Sequence, residues 1–145
     1  MHICIAIADF YQDIASMLLE GANAALRDVK ASHDVVRVPG ALEIPSALAS
    51  AAASGRYDGY IGLGCIIRGD TSHYDYVCTE SARGLMTLSL RPLAVGNGIL
   101  TVESRQQAIE RADIAGKNKG AAAVHACVAL IEWQRACQHN EDAAS

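Results

Sequence analysis

Four short apolar runs alternate with stretches of helical periodicity along this chain, and that alternation restricts the fold more than any other feature. The first run, HICIAIA (His2–Ala8), is apolar and β-branched, the pattern of a buried strand. Residues 12–29 then carry Ile14, Met17, Leu18, Ala22, Ala25 and Leu26 at helical spacing. A second strand, DVVRV (Asp34–Val38), ends at Pro39-Gly40. The Ala-rich helix expected over Ile44–Ala53 tolerates Pro45 because it falls in the first turn. Gly55 stops that helix, and Tyr60–Ile67 forms a third strand. A helix from His73 to Leu90 turns Val77, Leu85 and Leu88 inward, and Pro92 ends the segment. Leu93–Val102 reads as a fourth strand interrupted by Gly96 and Gly98. A capped helix over Ser104–Ala115 and a largely apolar one over Lys119–Gln138 follow.

Strands alternating with helices predict a mostly parallel sheet covered on both faces. The expectation is a three-layer α/β/α sandwich around a four-stranded parallel sheet. One domain over residues 1–145 suits that length, with no repeats or linkers. Ligands of such sheets bind beyond the carboxyl ends of the strands. Four places follow: Phe10-Tyr11, Pro39–Glu43, Arg68–His73, and Gly96–Gly98 within or near the end of the fourth strand.

Charge narrows the partners. The formal net charge is -4, and the twelve basic residues scatter from Arg27 to Arg135, so no basic stripe points to nucleic acid. A small anionic substrate remains compatible, because a cleft can be positive on a negative protein. The hydrophobic fraction of 51% has two readings: surface covered by other subunits, or an Ala-rich helical exterior. The five cysteines contain no CxxC pair, no run approaches about 18 apolar residues, and Met1 leads directly into the first strand. A reduced, cytoplasmic compartment without signal peptide or membrane span is expected.

The third loop holds most of the chemistry. In Gly69-Asp70-Thr71-Ser72 the last three are good N-caps, and they stand where a helix must begin. They serve as caps alone, or the exposed N–H groups and helix dipole there bind an anion. His73, in the first turn, is either a polar surface residue or a proton shuttle, since imidazole is suited to exchange near neutral pH. Cys65, His73 and Cys78 match no common zinc spacing and the two cysteines sit in apolar settings, so no metal site is expected; Cys–His nucleophilic catalysis is not expected either, because no orienting group is evident. Glu43 either favours a helix start or accepts hydrogen bonds from a polyhydroxyl ligand. Phe10, the one phenylalanine, either joins the core or stacks on a flat heterocycle. No GxGxxG or GxxxxGK[ST] is present, and none of the three lysines lies in an apolar strand end, so any imine chemistry must use the substrate's own amine.

Taken together, VPGALEIP (38–45), GCIIRGDTSHYDYVC (64–78), and GILTVESRQQAIERA (98–112) followed by GKNKG (116–120) resemble the lumazine synthase family over nearly the whole chain. The resemblance implies a flavodoxin-like sandwich and the penultimate reaction of riboflavin biosynthesis. In that reaction 5-amino-6-(ribitylamino)uracil condenses with 3,4-dihydroxy-2-butanone 4-phosphate to give 6,7-dimethyl-8-ribityllumazine, with no metal or organic cofactor.

By position, His73 matches the proton-transfer histidine of that family. Asp70 (by its backbone) and Thr71 match the phosphate loop, with Arg111 clasping the phosphate. Phe10 matches the stacking aromatic. Ala41, Leu42 and Glu43 match the segment holding the ribityl chain and ring. Cys65, Ile66 and Ile67 match the strand end whose main chain reads the pyrimidine edge. Asn97 stands where many members carry a phenylalanine from a neighbouring subunit, and Tyr11 replaces a usual asparagine. The family assembles as pentamers with sites between subunits. A pentamer or a pair of pentamers is expected here rather than a sixty-subunit capsid. A non-catalytic lumazine or flavin binder and an unrelated signalling domain are the competing readings.

Overall fold

Parallel pairing of all four strands organises the computed structural model, which describes residues 1–144. In chain order the elements are β1 (His2–Ala8), α1 (Gln12–Asp28), β2 (Ser32–Val38), a 3-10 turn (Ala41–Glu43), α2 (Ile44–Ala53), β3 (Gly59–Ile67), α3 (His73–Ser89), β4 (Val95–Val102), α4 (Arg105–Ala112) and α5 (Lys119–Ala144). The sheet order is β2-β1-β3-β4, with β1 and β3 central. This is the three-layer arrangement expected from the alternation.

Strand pleating sorts the side chains into two layers. Ile3, Ile5 and Ile7 of β1 join Ile61, Leu63 and Cys65 of β3 in one layer. There they pack on Ile14, Leu18 and Leu26 of α1 and on Val124, Cys127 and Ile131 of α5. Cys4, Ala6 and Ala8 face the opposite layer, with Ile44 and Leu48 of α2 and Leu85 and Leu88 of α3. Of the three α3 positions expected inward, Leu85 and Leu88 are buried and Val77 is half-buried.

Gly96 and Gly98 do not interrupt β4. They lie inside it, and their missing side chains let α5 seat directly on the strand. A methyl group on Gly96 would collide with the Ala123 carbonyl oxygen. One on Gly120, at the start of α5, would collide with the Leu18 carbonyl oxygen of α1. Here α5 packs backbone against backbone, which only glycine permits.

Element ends differ from the sequence expectation for local reasons. Helix α1 stops at Asp28 because Lys30 takes a left-handed conformation (φ 55°). The second strand starts at Ser32, two residues early, because the Ser32 N–H donates to the Met1 carbonyl at 3.1 Å. The third strand gains Gly59, which pairs with Ile3. Ser89 ends α3, with Leu90 as its C-cap, and β4 begins at Val95 rather than Leu93. Helix α4 ends at Ala112 rather than Ala115 because Asp113 turns extended (ψ 133°), and α5 continues past Gln138 to Ala144.

The seat of α5 is testable by urea unfolding. Gly120→Ala should cost about 1–3 kcal/mol through overpacking. Gly69→Ala, where no atom lies within 4 Å of the added methyl, should stay within about 0.5 kcal/mol of the parent.

Candidate active site

The carboxyl ends of β1 and β3 stand side by side, and the loops leaving them form a cleft of about 230 Å3. Its walls are Phe10 and Tyr11 after β1, Ile66 and Ile67 ending β3, and Gly69, Thr71, His73 and Tyr74 around the start of α3. The structure therefore brings together four of the expected residues around His73: Phe10, Ile66, Ile67 and Thr71.

Arg68 holds the loop in place. Its N–H donates to the Val102 carbonyl of β4 at 3.0 Å, and its Nε donates to Glu103 at 2.7 Å. The guanidinium lies 4.3 Å from the centre of the Tyr74 ring and 3.6 Å from the Asp75 carboxylate. Glu103 beside it, largest of the causes, pushes the Arg68 pKa up, so this cation is committed to the scaffold.

Ser72 occupies the N-cap position of α3, yet its hydroxyl caps nothing; instead Thr71 Oγ1 accepts the His73 N–H at 3.3 Å. Asp70, Thr71, Ser72 and His73 are all exposed. The first turn of α3 thus offers backbone donors and the positive end of its dipole to an anion, with an imidazole beside them.

Cys65 takes no side-chain part. It points into the α1/α5 layer, and burial pushes its thiol up to about 11. Cys78 packs on the other layer, and its thiol is also raised by burial. Neither ionises near neutral pH, which removes the Cys–His nucleophile on physical grounds. Among the described residues no three His, Cys, Asp or Glu side chains gather as a metal site.

The other expected residues lie elsewhere. Ala41, Leu42 and Glu43 form the 3-10 turn after β2, with Ala41 buried and Leu42 46% exposed, and none lines the His73 cleft. The turn adjoins the β1 end, because the Asp9 N–H donates to the Val38 carbonyl at 3.1 Å and Arg37 pairs with Asp9 at 2.8 Å.

Asn97 is not at a strand end. It lies in the first half of β4, opposite Gly62, and its Oδ1 accepts the Ile99 N–H at 2.9 Å. With Thr101, Arg111 and Lys119 it lines a second cleft, of about 260 Å3, along the outer edge of β4. Arg111 is presented there by α4. Ser104 Oγ accepts the Gln107 N–H and Gln107 Oε1 accepts the Glu103 N–H, which fixes the start of that helix. The two clefts share no residue, so one copy of the chain keeps Arg111 and Asn97 apart from His73.

Sequence reasoning left out Tyr74 and Lys119. Tyr74 directly follows His73, so adjacency was the available signal. Lys119 reaches the Arg111 cleft only through the turn at residues 113–118, where Asn118 is left-handed (φ 45°) and its Oδ1 accepts the Ala121 N–H.

A family model described as 6,7-dimethyl-8-ribityllumazine synthase matches residues 1–135. Three proteins bearing that name are similar over most of their length. The one from Sphingopyxis alaskensis is 52% identical over 130 residues, covering 90% of this chain and 92% of the relative. The one from Erythrobacter litoralis is 48% identical, covering 90% and 93%. The one from Bartonella tribocorum is 50% identical over 136 residues, covering 92% and 90%.

Thiol chemistry checks the burial assignment. Alkylation needs the thiolate, and the raised folded-state value keeps Cys65 protonated until the pH approaches about 11. Mass spectrometry after iodoacetamide treatment at pH 8 should find exposed Cys137 modified and Cys65 and Cys127 untouched. Full labelling of Cys65 in folded protein would contradict the assignment.

Proposed function

The chain belongs to the 6,7-dimethyl-8-ribityllumazine synthase family and carries that activity in riboflavin biosynthesis, and on this premise we propose which of its residues do the work. The observation that supports the assignment best is the shared cleft of Phe10, Ile66, Ile67, Thr71 and His73. Phe10 stacks on the pyrimidine ring. The main chain of Cys65, Ile66 and Ile67 reads its edge. Ala41, Leu42 and Glu43, in the adjoining turn, hold the ribityl chain.

The amine of the uracil substrate attacks the butanone ketone, and water leaves to form an imine. Phosphate then departs by elimination, and the ribityl-bearing nitrogen closes the second ring with loss of another water. His73 shuttles protons where the phosphate leaves. Asp70 (through its backbone) and Thr71 hold that phosphate at the start of α3, where the Ser72 hydroxyl caps no N–H and the helix dipole suits an anion. No protein nucleophile enters; the gain comes from holding two reactants in register beside an anion site.

Arg111 and Asn97 complete the site from a second copy of the chain. The separation of the two clefts within one copy supports this, as does the place of β4 at the sheet edge with Asn97 and Thr101 exposed. The assembly is a pentamer or a pair of pentamers, built from one domain spanning residues 1–145. The free state of all five cysteines supports a reducing, cytoplasmic setting.

Steady-state kinetics, read by lumazine absorbance, test these roles. His73→Ala should cut kcat about 100-fold with the fold intact. Arg111→Ala should raise KM for the butanone phosphate about ten- to hundredfold and leave KM for the uracil substrate in place. Coexpressing the two variants should return activity to some hybrid interfaces. Hybrids no more active than either variant alone would place both residues in one copy's site.

A further inference from the structure

We propose that Tyr11 is a positioning residue for the uracil substrate, fixing the plane of the Phe10 ring where that ring borders the His73 cleft; this rests on the substrate placement above. Phe10 is 73% exposed, so core packing does not set its orientation. Its ring meets that of Tyr11 edge-to-face, with centroids 5.0 Å apart and planes at 76°. Among the described residues this is the aromatic contact that Phe10 makes. Tyr11 itself is half-buried and packs on the α1/α5 layer of the core. One ring is therefore anchored and the other is held against it. Both rings line the cleft.

The backbone adds a second argument. Tyr11 is the N-cap of α1, with the extended conformation of that position (φ -110°, ψ 90°), and its side chain caps nothing. A Ser, Thr, Asp or Asn there would satisfy a free N–H of the first turn. The chain forgoes that hydrogen bond and places an aromatic ring in the cleft wall instead.

An exposed phenylalanine samples several rotamers and must be ordered when a ligand stacks on it. Edge-to-face contact with an anchored ring removes that freedom beforehand, so the heterocycle meets a surface already in place. The gain falls on the flat substrate alone, because the butanone phosphate has no ring to stack.

The experiment compares Tyr11→Asn, Tyr11→Phe, Phe10→Ala and the Tyr11→Asn/Phe10→Ala double variant in steady-state kinetics and thermal melts. Tyr11→Asn should raise KM for 5-amino-6-(ribitylamino)uracil about three- to tenfold. KM for the butanone phosphate and kcat should hold, and Tm should change little, because the asparagine cap offsets the core packing lost with the Tyr11 ring. Tyr11→Phe should behave as the parent, and Tyr11→Asn should add nothing in the Phe10→Ala background.

The proposal is overturned if Tyr11→Asn leaves the uracil KM unchanged while Phe10→Ala raises it. It is equally overturned if Tyr11→Phe is as damaging as Tyr11→Asn, which would assign the effect to the phenol oxygen. A rise in both KM values with a lower Tm would make Tyr11 merely structural, and an undiminished effect without Phe10 would break the link between the rings. Phe10→Ala without effect on the uracil KM would instead remove the substrate placement on which the proposal stands.

Discussion

In-register parallel pairing is the constraint on which the rest of this structure depends. Parallel neighbours cannot be joined by a tight turn, so every connection must cross the sheet, and here each crossing carries a helix. All four carboxyl ends consequently lie on one edge. The register then shapes the cleft. Ile7 of β1 pairs with Leu63, and Ile67 of β3 pairs with Val102 of β4. Strand β3 therefore runs four residues beyond Leu63 while β1 has one left, and this overhang supplies Ile66 and Ile67 as a wall facing Phe10 and Tyr11.

The close seat of α5 serves the same end. Because Gly96, Gly98 and Gly120 bring that helix against β4 and α1, α5 starts at a defined place on the sheet. Lys119, at its first position, and Arg111, at the end of α4 across the 113–118 connection, then share the outer edge of β4. Arg68 ties the two regions together. Its ion pair with Glu103 joins the loop before His73 to the residues that begin α4, so that loop and the Arg111 helix have a common anchor.

Much of this was legible in the residues. HICIAIA and GYIGLGCII are apolar over their whole length because both strands are buried on both faces, and β1 and α2 begin and end where their patterns do. The cluster around His73 was legible in part: the topological end rule pointed to Phe10, Thr71 and His73, while Ile66 and Ile67 came from the family resemblance. What was misread depended on neighbours distant in sequence. Gly96 and Gly98 look like strand breakers until α5 is seen against them. Asn97 stands inside the expected strand, and only its register opposite Gly62 places it well short of the carboxyl end.

By itself, then, the sequence determined the alternation of strand and helix, the family and its reaction, and the segments that supply the candidate site. Those are properties of local pattern and of residue type at short spacing, which a linear chain records directly. Only the tertiary structure decided which segments meet. It separated Arg111 and Asn97 from His73, turned Cys65 into the core where burial silences its thiol, and set Tyr11 edge-on against Phe10. The face that Cys65 takes follows from strand register, which a shift of one residue would reverse; the other two follow from where the loops and helices leave the sheet.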